Sequence, residues 1–558
     1  MFTVPSFPNN TREVIKHGPK LGATPRVMVG KNMRRAIPVS LSLLTLAWMA
    51  GCGIVSGGGG GIGSTQPNAF SGQYAFFLAG FDSNGLPIAI AGSMKADGLG
   101  NISGGEVDVN DNGTVSSNSS LTGTYLFDAT GNNTLGTIML TNLVTNVAQP
   151  LGFAFSLQAS GGFGSIMSLD ANNFIAEGTM ELQSASALSL SAMAGDWVVT
   201  INGRISSIPT SALGRFTLAS SGATSNVAFD RSVAGSTAGT AGPTTGASAT
   251  VTFAGAGPDA IGRGTFTLAL NDALANGTQN FAYYAITAKR FIAVETDANG
   301  TLIADFASQS TPLIASTVVT TGSVFGLAGV DNVAGGEITA VGQLQITGAN
   351  TGTLHLDSND NGAIVSGATL PIQTVTFDPT IGRGTLAAQS GYANGLADSM
   401  VFYLTAPGMG FIMDATAGST NRAMAGPLMA QAGAPYSAFT DLSGLGIVRS
   451  RGSSVNDALA LVGLFGLQSG SSKYELLFDQ RFPGSTGIQT QTDSPATGIS
   501  LLGLDASVGR GTVSVPSGSN VATEVFYVIG PNQFYFIDIS PLSSGLIGAS
   551  SLFFVTPQ

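Results

Sequence analysis

The chain has 558 residues, 77 of them Gly, and only 9 % are charged, against a usual ~25 %. With 43 % hydrophobic residues it is not the composition of a mostly disordered chain. Two His and one Cys exclude a disulfide framework and a Cys-rich zinc site and leave little room for His-based catalysis, and a net charge of −11 disfavours a nucleic-acid binder.

The first predicted element is a leader over residues 1–51. Lys31, Arg34 and Arg35 form a basic cluster, Ala36 to Ala47 is an apolar run, and Ala50 and Gly51 precede Cys52, the only cysteine. The apolar run is shorter than the ~20 residues of a membrane span. In this order the residues resemble a bacterial lipoprotein signal with its lipobox, Met49 standing where that family usually has Leu. The resemblance implies cleavage before Cys52, lipidation of that residue, and attachment to a membrane through the lipid. An ordinary signal peptide with an incidental cysteine is the other reading. Gly53, rather than Asp, resembles the outer-membrane sorting class of diderm bacteria. Translation from Met33 would give a compact signal over 33–51. Removing residues 1–51 takes away seven of the 21 basic residues and one of the 32 acidic ones, which leaves 14 against 31 and a net charge of −17.

Residues 52–69 are a lipidated, Gly-rich tether; their Gly run precedes no phosphate-binding Lys. From residue 70 onward the chain reads as short aromatic or β-branched strands, such as QYAFFLAGF, FAYYAITA, MVFYLTA and EVFYVIG. Gly, Asn, Asp and Ser turns bound them every ~8–12 residues, which predicts antiparallel all-β structure.

The strands repeat. Leu135-Gly-Thr, Arg263-Gly-Thr, Arg383-Gly-Thr and Arg510-Gly-Thr are each followed by an aromatic strand, through Phe155, Tyr283, Phe402 and Phe526. A longer period of 249 relates Gly80 to Gly329, Asp108 to Asp357 and Asp230 to Asp479. The spacing predicts four tandem antiparallel meander units of about 120 residues in the order A-B-A′-B′: A over 70–190, B over 191–312, A′ over 313–431 and B′ over 432–558. Eight strands per unit would close into a small barrel and remove exposed edges. A sandwich, or one larger sheet shared by A and B, would use the same strands. The Gly72-x-Tyr74 and Gly195-x-Trp197 openings resemble the Gly-x-Trp start of lipocalin-like barrels. The motifs GQYAF at 72–76, ADGLGNI at 96–102 and the three GRGT segments together resemble uncharacterised repeat-containing secreted bacterial lipoproteins. That resemblance spans most of residues 70–558 and implies a surface location without implying an activity.

Three groups of residues are candidate sites. Asp108, Asn110 and Asn112, with Asp357, Asn359 and Asn361, match the first half of a calcium loop, but Ser119 and Ala368 stand where a bidentate Glu belongs. The competing reading is an Asx-rich hairpin turn. Arg263, Arg383 and Arg510 either bind carboxylates at barrel mouths or pair with the repeated Asp of their own unit, namely Asp230, Asp357 and Asp479, to pin strand register. The paired aromatics (Tyr283-Tyr284, Phe402-Tyr403, Phe526-Tyr527) either line a ligand cavity or form core.

No G-x-S-x-G elbow is present, and His355 stands alone between Leu354 and Leu356 in a predicted strand. The expectation is therefore a non-catalytic cell-envelope lipoprotein: a surface scaffold, adhesion or interaction module that meets a cell-surface protein and needs no cofactor. The alternative is a carrier of small apolar ligands in lipocalin-like barrels. An outer-membrane barrel or an enzyme ranks below both.

Overall fold

A computed structural model of the chain describes residues 70–557 apart from stretches between strands, the longest being 235–243, 314–321, 452–459 and 541–551. The leader, Cys52, the tether, Asn361 and Gln558 lie outside the described residues, as does the side chain of Asp479.

The described residues form four antiparallel sheets in tandem, each a meander in which the first strand also pairs with the last. Unit A is a closed barrel of eight strands: β1 (Ser71–Asp82), β2 (Pro87–Asp97), β3 (Asn101–Asp111), β4 (Thr114–Phe127), β5 (Leu135–Thr141), β6 (Leu151–Leu157), β7 (Phe163–Ser168) and β8 (Phe174–Leu182). Unit A′ closes the same way between Ser323 and Ala430. Unit B is a nine-stranded sheet whose end strands, Thr244–Ala247 and Ala249–Phe253, are separated by one residue. It is thus the same barrel with one strand broken in two. In unit B′ the sheet ends at Gln489–Asp493 and Ser500–Asp505.

Strand alternation explains these barrels. In β1, Tyr74, Phe76 and Leu78 fill the interior, while Ala75 and Phe77 face outward against unit B. The interiors are packed. In unit B, Phe253, Phe266, Tyr283, Phe291 and Phe306 make edge-on, tilted or stacked ring contacts at 4.0–5.5 Å. Opposite the repeated Gly of each Gly-Thr strand stands the repeated aromatic: Gly136 faces Phe155, Gly264 Tyr283, Gly384 Phe402 and Gly511 Phe526. A Cβ on Gly384 would lie 2.0 Å from the Phe402 ring, so the ring occupies the space of the missing side chain.

The four units form a ring. Separate apolar clusters join A to B (Ala91, Tyr284, Val294), B to A′ (Leu213, Tyr403, Met413), A′ to B′ (Val341, Tyr527, Ile537) and B′ back to A (Ala154, Met167, Val462). This settles the role of the paired aromatics. The first of each pair enters its own barrel core, and the second points outward into a junction.

Candidate functional site

At the A/B junction the Arg263 guanidinium grips Asp108 with two hydrogen bonds, Nε to Oδ2 at 2.7 Å and Nη2 to Oδ1 at 2.8 Å. The Tyr284 hydroxyl donates to the same carboxylate at 2.7 Å, and Ser117 donates to its Oδ1. At B/A′, Arg383 grips Asp230 with two bonds of 2.7 Å, and Tyr403 donates at 2.6 Å. At A′/B′, Arg510 grips Asp357 at 2.8 and 2.7 Å, and Tyr527 donates at 2.7 Å. Each carboxylate is fully buried, whereas each guanidinium keeps about a fifth of its surface exposed. Hydrogen bonding to the acid raises the pKa of Arg263 and Arg383. Burial, and then the adjacent carboxylate, raises that of Tyr403 and Tyr527. The Arg263 and Arg383 guanidiniums therefore stay charged, and the Tyr403 and Tyr527 hydroxyls stay protonated, throughout the physiological range.

This corrects the expected pairing. Each Arg takes the Asp of the preceding unit, not of its own: Arg263 takes Asp108 instead of Asp230, Arg383 takes Asp230 instead of Asp357, and Arg510 takes Asp357 instead of Asp479. The repeated residues set how barrels dock rather than strand register within a barrel. In unit A, Leu135 stands at the position of this Arg. In register with Leu135 stands Ser156, where the other units have Tyr, and its buried Oγ has no partner. The B′/A seam is held instead by Arg449 Nη1 to Glu177 Oε2 at 3.3 Å and by Gln158 Nε2 donating to the Pro557 carbonyl at 2.6 Å. Asp479 lies on Tyr474–Arg481, opposite Val462 of the seam cluster.

The calcium expectation is corrected by the same contacts. Both oxygens of Asp108 are taken up by Arg263, Tyr284 and Ser117. Asn110 turns its amide nitrogen to three carbonyls of unit B, Glu295, Asp297 and Gly300, at 2.9–3.3 Å. Asn359 donates likewise to the Asp538 carbonyl at 2.8 Å, and Asp357 is held by Arg510. The Asn110 and Asn359 side-chain oxygens accept from the Gly113 and Gly362 N–H groups at 2.8 Å. Asn112 and Gly113 have positive φ, +47° and +87°, as a two-residue hairpin turn requires. These segments are hairpin turns whose side chains dock the next barrel. Among the described residues no group of three or more His, Cys, Asp or Glu could hold a metal.

A second clasp was not anticipated. Gln183, Gln309 and Gln431 each follow the last strand of a unit and reach into the next. Gln183 Nε2 donates to the Ile261 and Ala285 carbonyls, Gln309 to Ile381 and Leu404, and Gln431 to Val508 and Val528, all at 2.6–3.0 Å. The following residue adds a backbone bond in each case, from Ser184, Ser310 and Ala432 to the Ile286, Thr405 and Ile529 carbonyls. The signal was present: a Gln recurs after the final strand of every unit, Gln558 included. Without the topology it looks like an ordinary loop residue.

Cavities lie between barrels. One of about 130 Å³ is shared by all four units, with Glu177 from A, Asp305 from B, Phe411 from A′, and Arg449 and Tyr535 from B′. Its charges are paired, Arg449 with Glu177, and Asp305 with Arg290, which also holds Glu181. His355 bonds Thr369 through Nδ1 at 3.1 Å, and burial lowers its pKa. Near the A/B junction Glu295 is fully buried with both oxygens unpartnered. Burial, reinforced by Asp297, raises its pKa to about 9.

No protein-family model matches the chain, and no curated protein matches it. Among solved structures, a similarity is found to one described as "Crystal structure of CghA", at 10 % identity over 76 % of this chain and 86 % of that one. The TM-score of 0.14 is too low to carry an argument about fold or function.

Proposed function

We propose that the protein is a cell-envelope lipoprotein, anchored through Cys52, whose four-barrel ring is a rigid, non-catalytic scaffold that presents its outer faces to a partner at the cell surface. The junctions carry this reading. The recurrent charged and aromatic side chains are consumed in clasping one barrel to the next, with carboxylates fully buried behind their arginines. Such groups are spent on holding shape and are not left free for substrate chemistry.

The carrier reading draws less support, because the barrel interiors are filled by side chains from opposite walls. A membrane barrel draws less again. Strand β4 shows solvent Thr114, Ser117, Ser119 and Ser120, where a lipid-facing barrel needs an apolar band ~25 Å tall.

The test is metabolic labelling with an alkyne fatty acid in a diderm bacterial host. The expected result is label and membrane fractionation for the full chain, and loss of both in Cys52→Ser. Release of a stoichiometric lipid-sized ligand on denaturing the purified protein would replace the scaffold by a carrier. An unlabelled, freely soluble wild-type chain would overturn the anchor.

A further inference from the structure

A smaller cavity, of about 90 Å³, lies where units A, B and A′ meet. Phe81 from A, with Ala328 and Val330 from A′, gives it apolar walls. Unit B supplies the polar side, through Asn202, Arg204 and Ser211. On the strand Gly195–Ile205, Trp197, Val199, Ile201 and Ile205 fill the barrel, so Asn202 and Arg204 face out of it. Asn202 is occupied: its Oδ1 accepts from Ser211 Oγ at 2.8 Å, and its Nδ2 donates to Thr200 Oγ1 at 3.3 Å.

Arg204 is not occupied. Seven other arginines with described side chains, at 215, 263, 290, 383, 422, 449 and 510, are ion-paired, and Arg231 also has a partner. The Arg204 side chain is half-buried and makes no hydrogen bond or ion pair among the described residues. Burial alone lowers its pKa, with no acid acting against it. In a chain with 32 acidic residues and 21 basic ones, a cation without a carboxylate partner among the described residues is conspicuous. A half-buried charge without a partner costs folding free energy, and a guanidinium offers a planar fork of donors that matches an oxyanion.

We propose that this cavity binds a small monocarboxylate with a short aliphatic chain, its carboxylate on Arg204 and its tail against Phe81 and Val330. One guanidinium balances one negative charge, which favours a carboxylate over a doubly charged phosphate where no second cation lines the cavity. Since one water needs ~10–15 Å³ of such space, the cavity has room for a carboxyl group and a few methylenes. The site is assembled only when three barrels are docked, so its ligand would report on the closed ring.

The probe is butyrate, observed by saturation-transfer NMR on the full chain, with inorganic phosphate in a parallel titration. The expected result is saturable butyrate binding that weakens by about tenfold or more in Arg204→Gln and survives in part in Arg204→Lys. Unchanged Trp197 fluorescence would show both variants folded. Equal butyrate binding by wild type and Arg204→Gln, or none by wild type, overturns the proposal. Saturable phosphate binding without butyrate binding overturns the carboxylate class.

Discussion

Replacing Arg383 by Leu removes both hydrogen bonds that its guanidinium gives to Asp230. The carboxylate is fully buried and the guanidinium 20 % exposed. An exposed pair would be worth at most ~1 kcal/mol, whereas breaking a buried pair from one side costs about 3–5 kcal/mol, because the remaining charge stays desolvated. Here the buried partner is the one left behind, and Tyr403 supplies a neutral hydrogen bond in place of a cation. The expected loss is therefore about 3 kcal/mol, toward the lower end of that range. Asp230→Asn added to Arg383→Leu should recover more than half of it, since the stranded charge is then gone. Trp197 is the only tryptophan after residue 48, and it lies in the unit B core beside Val198 of the B/A′ cluster. Urea unfolding read by its fluorescence reports this junction. A loss below ~1 kcal/mol, or a double variant no more stable than Arg383→Leu, would refute the account of the triad as a buried clasp.

Restoring the missing clasp at the seam, with Leu135→Arg and Ser156→Tyr together, should slow amide hydrogen exchange in Leu151–Leu157 and Ala460–Leu467; unchanged exchange would mean that Asp479 does not face the seam. Glu295→Gln should stabilise the protein at neutral pH. A buried acid with its pKa raised from 4.5 to about 9 is harmless below pH 4.5, and stability falls as pH climbs from there toward 9 at ~1.4 kcal/mol per pH unit. The variant should lack that slope, so parallel melting-temperature profiles of the two proteins from pH 5 to 9 would count against the assignment. Gly384→Ala should destabilise unit A′ by about 1–3 kcal/mol through overpacking against Phe402. The same substitution at Gly104, where a Cβ meets nothing within 4 Å, is the comparison, although its φ of +58° adds strain of about 1 kcal/mol. Equal losses at the two sites, measured by urea unfolding, would remove the packing argument.

Much of the architecture was legible. Alternating apolar residues with Gly and Asn turns specify antiparallel strands locally, and tandem duplication writes the same pattern four times, so strand class, unit count and order follow from the chain alone. The partner of each arginine did not follow. Arg383 is nearer in sequence to Asp357 than to Asp230, and spacing along the chain favoured the nearer acid. An outward-facing side chain, however, can be satisfied by a neighbour on its own barrel, as Arg290 is by Asp305, or by another barrel, and it is the docking that puts Asp230 beside Arg383. The calcium-like turns misled for the same reason. Alternate Asp108 and Asn110 share one face of a strand, as ligands would, but that face is covered by unit B.

The sequence by itself determined the antiparallel all-β units and their A-B-A′-B′ order, because strand periodicity, turn chemistry and repetition are properties of neighbouring residues. Only the tertiary structure decided that the units close into barrels and the barrels into a ring, that the repeated Arg, Asp, Tyr and Gln residues are its clasps, and that Arg204 has no partner among the described residues, beside a cavity with one apolar side. Those outcomes depend on which outward faces meet across more than a hundred residues of chain, and side-chain burial between units that far apart in sequence leaves no local signature.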